Sequence, residues 1–182
     1  MPGEAVSGAF AFGKLPAHGD FVARGLDEAA RTAWDAWASA GLQAARDALG
    51  EGFEAAHDQA PPWRFRFGPG PFGAGWRTGA FAPSVDRAGR RFVIVLGVAG
   101  AGDEALAQGL EDALYRALGE GWTVDDLVAS AEGARDGDET FEARFWTLGG
   151  PDHPPQSVAA VAPPDDLLLR ALRPAAAEAK VP

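Results

Sequence analysis

Two hydrophobic periods alternate along this 182-residue chain. From Ser7 to Gly13, Phe10 and Phe12 alternate with small residues, the period of two that a strand requires. After a loop running to Gly25, the period changes. Ala30, Trp34, Trp37, Ala38, Gly41, Leu42, Ala45 and Leu49 trace one face of an amphipathic helix from Asp27 to about Leu49. Asp27 is placed to cap it and Gly50 to stop it.

A further helical turn is expected over Phe53 to His57, before Pro61 and Pro62 break the pattern. Trp63, Phe65 and Phe67 then alternate with Arg64 and Arg66, which reads as a strand with one buried face and one wet, basic face. A Gly/Pro-rich turn (Gly68 to Gly75) leads into a second strand, Trp76 to Ala82, as a hairpin with a long loop. After a turn from Ser84 to Gly89, Arg91 to Ala99 has an unbroken, β-branched core, the pattern of a central strand covered on both faces. Asp103 is positioned to cap a helix carrying Leu106, Leu110, Leu114 and Leu118, and Thr123 to cap a shorter one through Leu127 and Val128. Gly133 to Thr140 reads as an exposed loop, Ala143 to Leu148 and Ser157 to Val161 as strands, and Asp165 as the start of a last short helix with Leu168, Leu169 and Leu172. Five or six strands mostly in adjacent hairpins, with helices grouped between them, predict an α+β fold: a largely antiparallel central sheet flanked by α-helices. One domain over residues 1–173 and a frayed, Ala-rich tail over 174–182 complete the expected organisation.

Composition narrows the chemistry. The absence of cysteine removes disulfides, thiolate nucleophiles and Cys-ligated metal sites, and fits a cytoplasmic protein. The first ten residues lack the basic leader and apolar core of a secretory signal, and no apolar run approaches the roughly 20 residues that cross a bilayer. A net charge of −10 makes nucleic acid or an anionic membrane a poor partner. That charge is uneven. Six arginines and one acid lie between Trp63 and Arg91, while twelve acids and two arginines lie between Asp103 and Glu142. The pattern is that of a basic face set against a solvated acidic one, or of a surface for a charged protein.

Two segments, Phe12 to Val22 and Ala82 to Phe92, set Gly or Pro beside fixed charges and fit neither helix nor strand. The first, with its upstream Gly8, superficially matches a P-loop. However, Leu15 replaces the Mg²⁺-binding hydroxyl, Phe10 and Phe12 make the loop a strand, and Pro16 to Gly19 prevents a following helix. A hydrolase built on His18, Asp20, Ser84 and Asp86 is the catalytic alternative. Ser84 lies in no nucleophile elbow, so it needs those four side chains to converge in one pocket. The isolated histidines (18, 57 and 153) show no metal-ligand spacing, the DGDE run at Asp136 lacks the EF-hand pattern, and no cofactor or metal is expected. A structural reading competes with these: Gly19 and Gly89 supply positive φ, Asp20 and Asp86 bond backbone amides in their own turns, and Lys14, Arg87 and Arg90 pair with those aspartates to pin the two loops together. A binding role is compatible with it, because loops held rigid lose less entropy when a partner docks.

The order and spacing of four blocks resemble the type VI secretion system-associated TagF (ImpM) family. These blocks are Gly13 to Pro16 followed by Gly19-Asp20-Phe21-Val22, then Trp34-Asp35-Ala36-Trp37, then Pro83 to Asp86, then Gly89-Arg90 with Phe92. The resemblance runs from about Phe10 to Leu96 and is weaker from Phe145 onward. His18 stands at a commonly basic position, Val93 where proline is usual, and Phe145 where a first tryptophan is usual. The resemblance implies a cytoplasmic, non-enzymatic accessory protein that restrains assembly or firing of the secretion machine after translation, with the system's forkhead-associated scaffold protein as its partner. Some relatives are fused to a phosphatase domain; this length leaves room for none, so a stand-alone regulator is expected. A purely structural component of the apparatus is a further alternative. Arg64 and Arg66, on the wet strand face, are a second expected partner contact.

Overall fold

The computed structural model describes residues 8–131 and 142–175. The expected loop at Gly133 to Thr140, the strand start at Ser7 and most of the tail beyond Pro174 lie outside them.

The fold is α+β. Among the described residues seven strands form one sheet, in the order β2-β1-β5-β4-β3-β6-β7, and every pairing is antiparallel. The strands are β1 (Ala9–Gly13), β2 (Val22–Arg24), β3 (Trp63–Phe67), β4 (Arg77–Val85), β5 (Arg91–Ala99), β6 (Arg144–Thr147) and β7 (Gln156–Ala159). The helices are α1 (Glu28–Leu49), α2 (Phe53–Gln59), α3 (Glu104–Glu120), α4 (Val124–Ser130) and α5 (Leu167–Leu172), with a 3₁₀ turn at Gly50–Gly52. The strand count exceeds the expected five or six because β2 has only three residues, too few for a period-two signal.

Helices cover both faces of the sheet. Phe10, Phe12, Phe65, Phe67, Phe81 and Val95 point to one face and pack with Trp34, Trp37 and Leu42 of α1, Phe53 of α2 and Leu168 of α5. Ala9, Ala11, Ala80, Ile94, Leu96 and Val98 point to the other and meet Leu110 and Leu114 of α3 and Leu127 of α4. The alternation along each strand therefore separates an aromatic layer from a smaller aliphatic one. The caps form as the sequence requires. Asp27 accepts from the Ala30 N–H, Asp103 from the Leu106 N–H, and Thr123 with Asp126 closes a capping box.

Two expectations are corrected here. The second loop segment is mostly strand: β4 continues through Pro83, Ser84 and Val85, each paired with β5, and only Asp86 to Arg90 remains as a turn. Pro83 is tolerated because β3 ends its pairing at Phe81, leaving β4 with one neighbour there. The wet basic face of β3 does not exist. Arg64 and Arg66 are 3% and 5% exposed, because α3 and its leading segment lie across that side of the strand.

Candidate functional site

The two motif segments meet at one end of the central strands. Lys14 to Phe21 links β1 to β2, and Asp86 to Arg90 is the β4–β5 turn, so the β1–β5–β4 order places them side by side. The first folds on itself through the His18 N–H bonded to the Leu15 carbonyl (3.0 Å), with Pro16 inside the turn. The second is built around Asp86, whose Oδ1 accepts from the backbone N–H groups of Ala88 and Arg90, both at 3.0 Å. Gly89 adopts φ +80°, as that turn requires.

Backbone and side chains then lock the loops together. The Lys14 N–H donates to the Val93 carbonyl (3.0 Å) and the Arg87 N–H to the His18 carbonyl (2.8 Å). Ser84 Oγ donates to the Lys14 carbonyl at 2.6 Å. The Arg87 guanidinium donates to the Ala17 carbonyl and the Arg90 guanidinium to the Gly19 carbonyl. Buried Asp86 holds Lys14 Nζ at 3.1 Å and Arg90 Nε at 2.7 Å. Burial pushes the Asp86 carboxyl up, but the Arg90 backbone N–H, the Lys14 ammonium and the Arg90 guanidinium outweigh it and hold it down at about 2.

The expected pinning therefore forms, with different partners. Asp86 takes two cations. Arg87 binds a carbonyl instead of a carboxylate, and exposed Asp20 accepts from the Phe21 N–H (2.8 Å). Gly19 has no positive φ, and a Cβ there would meet nothing within 4 Å. The conformationally demanding glycine is Gly13, at φ +136°, where a Cβ would overlap the Val93 carbonyl. His18 reaches the other way, its Nε2 accepting from the Val124 N–H (3.0 Å) that opens α4. The hydrolase geometry is not assembled: no hydrogen bond joins the side chains of His18, Asp20, Ser84 and Asp86 to one another, and each is directed at backbone or at a cation.

The knot presents an aromatic surface. Phe21 is 46% exposed, stands edge-on to Phe92 with centroids 4.9 Å apart, and carries Lys14 Nζ 4.8 Å from its ring centre. Beside it an open groove of about 900 Å³ runs between the knot and the α1–α2 corner, lined by Lys14, Arg90, Arg91 and Phe92 on one side and Arg46, Phe53 and Glu54 on the other. Arg46 and Phe53 were not expected there, since nothing local in the sequence brings a helix end beside the β5 start. Arg91 also went unassigned; it grips Asp58 of α2 through two hydrogen bonds (2.9 and 2.8 Å) and fixes that corner. Trp34 and Trp37 are core residues. Trp34 touches Phe10, Phe65, Phe67 and Phe72, and Trp37 Nε1 donates to the Pro164 carbonyl.

Fold and site together define a three-layer α+β domain with a rigid loop knot at one end of its central strands. The chain belongs to the TagF family: the model of the TagF N-terminal domain, type VI secretion system-associated, matches residues 11–133. Its fold is similar to the crystal structure of PA0076 from Pseudomonas aeruginosa PAO1, at 25% sequence identity and a TM-score of 0.77 over 90% of this chain and 93% of that one. No curated protein matches the chain.

Proposed function

We propose that this chain is a non-enzymatic accessory protein of the type VI secretion system, restraining its assembly or firing after translation by binding the system's forkhead-associated scaffold protein. Family membership supports the secretion-system setting. The observation that carries the binding role is the knot. Its charged residues are engaged with one another and with backbone, while Phe21 and the Arg46–Phe53 groove remain open beside it. A rigid, half-exposed aromatic backed by a cation is the composition of an interface anchor, because it buries much surface at little cost in side-chain entropy. Exposed Arg46, lying over the Phe53 ring, favours an acidic group on the partner segment.

The test is titration of the purified chain against the purified scaffold protein of its own secretion system by calorimetry. Phe21→Ala and Arg46→Glu should each weaken binding about tenfold or more while the circular dichroism is unchanged. Tyr115→Ala, on the α3 face across the sheet, should leave it intact. No binding by the unaltered chain, or an equal loss with Tyr115→Ala, would overturn the reading.

A further inference from the structure

A second site lies at the opposite end of β1, β4 and β5 from the knot, where β4 begins and β5 ends. A partly open cavity of about 270 Å³ is walled there by Phe10, Leu26, Ala30 and Phe72, with Arg77 set into the wall. Arg77 is 7% exposed. Its guanidinium packs over Gly73 and within 5.9 and 5.6 Å of the Phe10 and Phe67 ring centres. Among the described residues it donates once, from Nη2 to the Gly75 carbonyl at 2.9 Å, and its Nε is buried without an acceptor.

Among the described residues no carboxylate forms an ion pair with Arg77. Burial pushes its pKa down, and the charge of Asp27 acts the other way. Asp27 itself stands exposed and directs its carboxylate to the Ala30 N–H. Buried charges in folded proteins are paired, because the desolvation of an isolated ion is not recovered otherwise. The guanidinium fork matches a carboxylate in geometry. The N-terminus of the 22-residue α1 adjoins the same cavity and adds a favourable potential for an anion.

We propose that this cavity binds a small monocarboxylate with a short apolar body, the carboxylate accepting from Arg77 and the body resting on Phe10, Leu26 and Phe72. One cation with apolar walls and a nearby acid selects a single negative charge over a phosphate dianion. The volume, near the lower end of ligand pockets at roughly 300 Å³, selects a small molecule. This site is independent of the knot, so it stands or falls apart from the partner-binding proposal.

Butyrate is the probe, with butyramide and butylamine as neutral and cationic counterparts, on the full chain at constant ionic strength. Butyrate should give a saturable rise in melting temperature and a calorimetric binding isotherm, and the other two should give neither. Arg77→Met removes the buried charge while preserving bulk, and should abolish the response without loss of fold. Ala30→Leu, which fills the cavity and leaves Arg77 in place, should abolish it as well and serves if Arg77→Met does not fold. A response no larger than that to chloride, an equal response to butyramide, or an undiminished response in either folded variant would overturn the assignment.

Discussion

Asp86 is the residue on which the knot depends, since it accepts from the turn's own backbone and from cations of both loops. Its carboxyl lies at about 2 in the folded chain, against an ordinary 3.8. A depressed folded-state value means the contribution is fully present above the unfolded pKa and is lost as pH falls through the folded one. The urea midpoint of the unaltered chain should therefore exceed that of Asp86→Asn by a constant amount from neutral pH down to about 4, and the gap should close as pH falls toward 2. A gap that stays constant through that window would show that the charge of Asp86 does not pin the loops. Asp86 and Lys14 were legible as candidates because Gly-Lys and Asp-x-x-Gly strings mark turns. Gly13 was not separable from Gly19 by the same signal, since the overlap that forbids a side chain at Gly13 comes from Val93, distant in sequence.

At the scale of elements, β3 shows where periodicity stops informing. Its alternation correctly sets Phe65 and Phe67 on one face and Arg64 and Arg66 on the other, but whether that second face is wet depends on where α3 lies. Arg64 Nε bonds Glu111 Oε2 of α3 at 2.7 Å, with both side chains largely buried. Glu111→Ala should cost about 3–5 kcal/mol in chemical unfolding, because it leaves the guanidinium buried without its partner. The double change Arg64→Met with Glu111→Leu should be neutral or stabilising by about 1–4 kcal/mol. If Glu111→Ala is as mild as a surface substitution, α3 does not hold β3 through this pair. Helix boundaries, by contrast, were legible to within a residue or two, because Asp27, Asp103 and Thr123 act on amides three positions away.

At the scale of the molecule, the sheet between two helical layers has a protected centre and thin edges. β5 is bonded along its length to β4 and over five residues to β1, whereas β2 and β7 have one neighbour each. Hydrogen exchange should therefore be slowest in Val93 to Val98 and fastest, among the strands, in β2 and β7. Equal protection of β7 and β5 would contradict a single sheet with these edges. The charge asymmetry also changes meaning at this scale. Of the six arginines between Trp63 and Arg91, three are buried and the rest gather at the knot, so the run is no basic face.

The amino-acid sequence by itself determined what short-range physics controls: the strand and helix periods, the caps, the turn residues, the α+β class and the motif blocks of the TagF family. The tertiary structure alone decided which carbonyls the two loops share, that Arg64 and Arg66 face a helix instead of solvent, that Arg46 and Phe53 complete a groove beside the knot, and that Arg77 lies buried beside a cavity. Each of these rests on contacts between residues tens of positions apart. Such contacts depend on the order of strands and on which helix covers which face, and no local pattern carries that information.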